Sequence, residues 1–383
     1  MKTYINRLLE PFIKKTAETM PVIVMTGPRQ SGKTTLAKHL FPDYLYVNLE
    51  FPDIRLFAEK DPRGFLKQSD TMIIDEIQRI PELFSYIQGI VDEDPSKKYI
   101  LTGSNNFSLM HTVSQSLAGR VGIFSVFPFS ISELRQAGML SDSLNKTIFQ
   151  GFYPRVIADG NDPVSWYQGY IQTYLERDVR DMSAIHMIER FYTFLRIIAM
   201  RVGSIMNYAT IATEVGVAPN TIRGWITILE ASYIITLLQP YHTNTKKRLI
   251  KSAKLYFNDT GLLCSLLGIS NERDIPNNSL SGFIFENYVI AEYLKNEKIF
   301  AGSHNLYFYR DHEGNEVDMV SEHGIDLNIF EIKLNKVFSN DFVKGLKYFD
   351  SNIKIVKTRN IIYGGDISQK IGDVSLISWK DIL

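Results

Sequence analysis

Four short apolar runs, Val22–Thr26, 44–49, 71–74 and Lys98–Thr102, are separated by stretches whose apolar positions recur at helical spacing, among them Lys33–Leu40 and 82–91. Strand-length runs alternating with amphipathic helices predict a parallel sheet with helices on both faces. Further on the period lengthens: 191–202 and 208–214 read as helices, Gly216 marks a turn, and a third helix opens at Pro219. Two strand runs follow at 233–238 and Lys254–Phe257, so helix, turn, helix and hairpin succeed one another in the order of a winged helix. After the turn-forming cluster Pro276-Asn277-Asn278-Ser279, a helical pattern at 283–294 leads into strand runs at 306–310, 315–320 and 327–333. The expected boundaries are 1–150, 151–265 and 266–383.

The first strand run passes into Gly27-Pro28-Arg29-Gln30-Ser31-Gly32-Lys33-Thr34, which fits G-x-x-x-x-G-K-[ST]. A strand, a glycine-bracketed turn and a helix form a phosphate cradle, because backbone N–H groups and the helix N-terminus converge on the anion. Residues 27–34 with Thr35 are therefore read as the nucleotide contacts: Lys33 supplies a point charge, and the Thr34 hydroxyl can ligate Mg²⁺. ATP and Mg²⁺ are the expected ligands.

The third run ends in Asp75-Glu76. Asp75 is placed to hold Mg²⁺, and Glu76 to polarise the attacking water, a pairing that favours hydrolysis over phosphoryl transfer to a small acceptor. Gly103-Ser104-Asn105 closes the fourth run, where Ser104 or Asn105 can sense the γ-phosphate. Arg120, just before the apolar segment 121–127, is the candidate arginine finger, acting within one chain or from a neighbouring subunit of a homo-oligomer.

Between the two hairpin strands, Lys246, Lys247, Arg248, Lys251 and Lys254 occur with no acid among them. In a DNA-binding winged helix this segment would meet phosphates while Asn220, Thr221 and Arg223 face a groove; the same module also serves in protein docking. Near the C-terminus, Asp318 is followed one strand later by Glu331-x-Lys333, and Glu286 lies on the preceding helix. Residues 331 and 333 share a strand face. The set resembles the PD-(D/E)xK nuclease constellation, in which Glu286, Asp318 and Glu331 hold Mg²⁺ and Lys333 orients water.

Composition narrows the field. Lys+Arg 42 balances Asp+Glu 42, so no global field drives the chain toward nucleic acid or acidic lipid. The one cysteine, Cys264, excludes an internal disulfide and a Cys-rich zinc site, and the seven histidines have no metal-type spacing. No apolar run reaches the ~20 residues of a membrane span, and residues 1–7 lead into no signal-peptide core. A soluble cytoplasmic protein with no membrane partner is expected.

The P-loop, Ile74-Asp75-Glu76, Leu101-Thr102-Gly103-Ser104, Ser116-Leu117-Ala118-Gly119-Arg120, Tyr174-Leu175-Glu176-Arg177-Asp178, Asp259-Thr260-Gly261 and the Asp318/Glu331/Lys333 set together resemble a large prokaryotic AAA-superfamily, archaeal-ATPase-like family with a restriction-endonuclease-like C-terminal domain of unknown function. The resemblance implies an α/β architecture: a P-loop NTPase parallel sheet with helices on both faces, followed by a winged-helix domain and a nuclease-like α/β domain. It implies an ATPase and leaves the physiological partner open; the winged-helix and nuclease-like motifs point to action on or near DNA, and the alternative is a nucleotide switch whose C-terminal regions bind protein without cleaving nucleic acid. Asp259-Thr260-Gly261 matches the family pattern, and the sequence alone assigns it no physical role.

Overall fold

The computed structural model describes residues 4–104, 117–175, 188–241, 252–300, 304–353 and 356–383. They fall into two units, one comprising Met1–Phe129 with Ala231–Tyr233, the other Ser130–Glu230 with Ile234–Leu383.

In the first unit, β1 (Val22–Thr26), β2 (Leu45–Asn48), β3 (Thr71–Asp75), β4 (Lys98–Thr102) and β5 (Val121–Ser125) form one sheet in the order β2-β3-β4-β1-β5. Every pair is parallel, in agreement with the alternating pattern of the sequence. Strands in such a sheet are covered on both faces, which is why Val22, Ile23, Val24 and Met25 are all buried rather than alternately exposed. The unit also carries helices α1 (Glu10–Thr19), α2 (Lys33–Leu40), α3 (Pro52–Lys60), α4 (Pro62–Leu66) and α5 (Leu83–Glu93). Phe65, Leu66, Leu83, Phe84 and Ile87 from α4 and α5 join Val24, Met72, Ile74 and Leu101 in a single core. Because β4 lies between β1 and β3, with Met25 level with Thr102 and Ile74 level with Leu101, the carboxyl ends of three strands meet at one edge. Ligands bind at that edge in sheets of this kind.

The second unit carries the helices Ile188–Met200, Tyr208–Val215 and Pro219–Ala231, the last extending into the 231–233 segment. They stand where the sequence places them. Strands β6 (Ile235–Pro240) and β7 (Lys254–Phe257) pair antiparallel as the expected hairpin. They continue into β8 (His304–Arg310), β9 (Glu316–His323), β10 (Asp326–Lys333), β11 (Val356–Tyr363), β12 (Gln369–Ile371) and β13 (Val374–Ser378). The order is β12-β13-β11-β10-β9-β8-β6-β7, so one sheet runs through the boundary expected near residue 265.

Asp259-Thr260-Gly261 acquires a structural role here. The Asp259 carboxylate caps the helix Thr260–Leu266, accepting from Leu262 N at 2.9 Å, and its other oxygen accepts from Phe152 N at 2.8 Å. Gly261 lies against the Tyr167 ring so closely that a Cβ would stand 2.3 Å from it.

Candidate active site

The phosphate loop is shaped by its glycines and bolted from beneath. Gly27 has φ +142°, and a Cβ there would stand 2.2 Å from Val126 O, so only glycine fits. Lys33 is buried in the first turn of α2, and its ammonium donates to Gly27 O at 3.0 Å and Pro28 O at 2.7 Å, lying across the loop mouth. The Ser31 hydroxyl is buried with no hydrogen-bond partner. An orphaned hydroxyl donor in the glycine loop fits an incoming phosphate, which would also draw the Lys33 ammonium away from the carbonyls. Pro28, Arg29, Gln30 and Gly32 complete the loop, while Thr35 faces outward on α2.

Beside it, the Thr34 hydroxyl donates to Asp75 Oδ2 at 2.9 Å. Asp75 is 6% exposed and also accepts from Thr102 Oγ1, at the end of β4, and from the Tyr46 hydroxyl, 2.9 Å away on β2. The adjacent carboxylate raises the Tyr46 pKa, second to the burial of the phenol. Glu76 follows in a left-handed conformation, φ 58°, uncommon for a residue with a side chain. Burial pushes its carboxyl pKa up, Lys33 pulls it down, Asp75 pushes it up again and Arg29 pulls it down, so both cations of the loop are felt there. Ser104 is buried at the β4 terminus, within 3.5 Å of the Gln78 amide that also donates to Glu76. Asn105 lies outside the described residues.

The structure thus brings together the loop, Thr34, Asp75, Glu76 and Ser104, but it does not bring Arg120 to them within the chain. Val22 N donates to Arg120 O at 3.2 Å, which sets Arg120 at the entry edge of the sheet, opposite the phosphate loop. Its guanidinium is engaged with Asp92 at 2.5 and 2.9 Å and with Ala118 O at 2.9 Å. Because β5 runs parallel to β1, a residue that precedes β5 and a loop that follows β1 lie at opposite ends.

Two residues that sequence reasoning passed over support the loop. Arg7, 6% exposed, donates to Ser31 O at 3.1 Å and to Phe127 O at 2.6 Å, and its guanidinium lies 5.0 Å from the centre of the Phe129 ring. Tyr233, with φ 58°, holds its hydroxyl 2.6 Å from Thr26 Oγ1, at the last residue before Gly27. Neither residue has a local motif.

In the second unit Asp318, Glu331 and Lys333 do converge. Lys333 Nζ lies 3.1 Å from Asp318 Oδ2 and 2.6 Å from Glu331 Oε2. Glu286 is also present, but with a partner the sequence did not predict: Lys254 Nζ is 3.2 Å from Glu286 Oε1 and 2.5 Å from Glu316 Oε1. Lys254 is therefore not a nucleic-acid contact, because its side chain is only 3% exposed and faces inward between carboxylates. Lys246, Lys247, Arg248 and Lys251 lie outside the described residues, as does most of the Tyr174–Asp178 motif. The carboxylates do not fit a divalent cation. Glu286 Oε1 already accepts from Lys254 and the Tyr256 hydroxyl, and Asp318 Oδ2 from Ile332 N and Lys333. Among the described residues no three acidic, histidine or cysteine side chains are grouped to hold a metal.

The five-stranded parallel sheet, the glycine loop and the paired acids define a P-loop domain of the AAA superfamily, and a family model described as AAA domain matches residues 19–135. Two models described as domains of unknown function, DUF8612 and DUF4143, match 141–273 and 281–382. The chain belongs to the family of the uncharacterized protein Rv2008c of Mycobacterium tuberculosis, with which it is 30% identical over 336 residues, spanning 84% of this chain and 72% of that one. It is also similar to the uncharacterized protein MJ1637 of Methanocaldococcus jannaschii, 22% identical over 423 residues, 94% of this chain and 84% of the other. Among solved structures, the Walker-type ATPase PABY2304 of Pyrococcus abyssi aligns with a TM-score of 0.47 and 16% identity, covering 69% of this chain and 96% of that one. No described helix is long and apolar enough to cross a membrane.

Proposed function

We propose that the chain is a Mg²⁺-dependent ATPase. The observation that carries this reading is the Thr34–Asp75 contact of 2.9 Å at the mouth of a loop whose lysine is held by its own carbonyls. A hydroxyl and a carboxylate so paired are the oxygen donors a hard divalent cation takes between protein and phosphates. Mg²⁺ held by Thr34 and Asp75 would neutralise charge on the β- and γ-phosphates. Lys33 binds the same phosphates, Glu76 accepts the proton of the attacking water, and Ser104 contacts the γ-phosphate side of the site. Arg120, exposed at the far edge, has a finger role only from a second copy of the chain.

Replacing Lys33 with Ala is expected to weaken ATP binding about 100-fold, roughly 2.7 kcal/mol, in a calorimetric titration with Mg²⁺. Parental affinity in a folded Lys33→Ala protein would overturn the assignment.

For the second unit, the alternative reading, a nucleotide switch whose C-terminal region binds without cleaving, has a specific observation in its favour. Its acids are already neutralised by Lys254 and Lys333.

A further inference from the structure

Glu76 turns the chain through its left-handed backbone into the single turn Ile77–Arg79, which carries Gln78 back over the acid. The Gln78 amide nitrogen donates to Glu76 Oε2 and lies 3.5 Å from Ser104 Oγ. The orientation of the amide follows from its neighbour, because turning it over would set its oxygen against a carboxylate. Its oxygen, Oε1, is then left buried with no hydrogen-bond partner. A buried acceptor without a donor costs free energy, and this one stands beside the carboxylate assigned to take a proton from water.

We infer that Gln78 orients the attacking water of ATP hydrolysis, its Oε1 accepting one hydrogen of the molecule whose other hydrogen points at Glu76. The inference rests on the ATPase reading. In the step, the water oxygen forms its bond to the γ-phosphorus as the bond to the β–γ bridging oxygen breaks, with that electron pair leaving on ADP. The proton passes to Glu76 and from there to the departing phosphate, so Glu76 is restored. Gln78 exchanges no proton; a neutral amide contributes direction, as glutamines do for water in other phosphoryl-transfer sites. The amide nitrogen of the same side chain ties the base to Ser104, so base, water and β4 terminus are fixed as one group.

The test uses the full chain with Mg²⁺ and ATP, comparing the parent with Gln78→Met, which keeps the volume, and with Gln78→Ala. Turnover and KM are measured beside the Kd of a non-hydrolysable ATP analogue and the melting temperature. The expected result is a fall in kcat of about 100-fold in both variants with Kd and melting temperature unchanged. Parental kcat in either folded variant overturns the role of Gln78 while leaving the ATPase intact. A parallel loss of kcat and analogue affinity overturns it too, since that pattern belongs to a residue that builds the pocket. A parent that binds ATP without hydrolysing it is a failure of the ATPase reading itself, and Gln78 falls with it.

Discussion

Arg7 places a buried guanidinium under the phosphate loop, and the groups it serves are carbonyls that have no other reason to be level with one another. Nη1 holds Ser31 O and Nη2 holds Phe127 O, which ties the loop after β1 to the segment after β5. Arg7→Met keeps the aliphatic length and removes the donors, leaving buried carbonyls unsatisfied. The expected loss is about 2–4 kcal/mol of stability, read as a shift of the urea midpoint, together with a weaker ATP affinity because Ser31 lies in the loop itself. Were the midpoint and the affinity both parental, the loop would not depend on this arginine. Glu76 is a residue of the same kind: its backbone is held in an uncommon region by its surroundings, and such strain gathers at sites where geometry matters more than stability.

Helix Ser281–Phe300 shows how an element's burial becomes a pH dependence. Glu297 on its last turns is half-buried, and burial pushes its pKa from 4.5 up to about 7, against the smaller pull of Lys298. Its Oε1 has no hydrogen-bond partner. The folded chain therefore holds this proton to higher pH than the unfolded chain does, so stability falls as pH rises between about 4.5 and 7. Glu297→Gln removes that slope. The variant should melt with the parent at pH 4 and above it at pH 8, and equal melting at both would contradict the assignment. How well elements could be read from the sequence follows from locality. Strands β1 to β4 of the first sheet and the second unit's helices Ile188–Met200, Tyr208–Val215 and Pro219–Ala231 are legible because a hydrophobic period is a local signal. The loop, Thr34, Asp75 and Glu76 were legible because each motif is contiguous. Arg7 and Tyr233 were not, since each meets the loop from a distant part of the chain. Lys254 was misread because a basic run looks solvated; the signal against that was the apolar Leu255-Tyr256-Phe257 directly after it, which made Lys254 the first residue of a strand buried throughout. Which end of the sheet Arg120 occupies is not legible in the sequence, because strand direction is fixed only once the pairing is known.

At the scale of the whole molecule, formal charge is balanced, and a cluster of it is buried in the second unit. Lys+Arg 42 against Asp+Glu 42 leaves no net field, and in the second unit Lys254, Glu286 and Asp318 are buried. Lys254 and Lys333 are paired with carboxylates of their own unit. The expected outcome on plasmid and on structured DNA, in Mg²⁺ or Mn²⁺, is no cleavage by the parent and none by Asp318→Ala. Cleavage by the parent that Asp318→Ala abolishes would establish a working nuclease centre and displace the switch reading. A DNA titration over a salt series measures contact independently of cutting, since phosphate contacts lose affinity steeply as salt rises.

The Ala231–Tyr233 segment bears on how the chain is made as well as on how it works. A ribosome delivers the strands of the first sheet early, yet the tyrosine that braces the end of β1 emerges only after Ser130–Glu230 has been translated. A nascent polypeptide stalled before that point carries the whole glycine motif without its brace. The brace on β1 therefore arrives late in synthesis, and a gene fragment cut at the first unit's apparent end would encode the glycine motif without it.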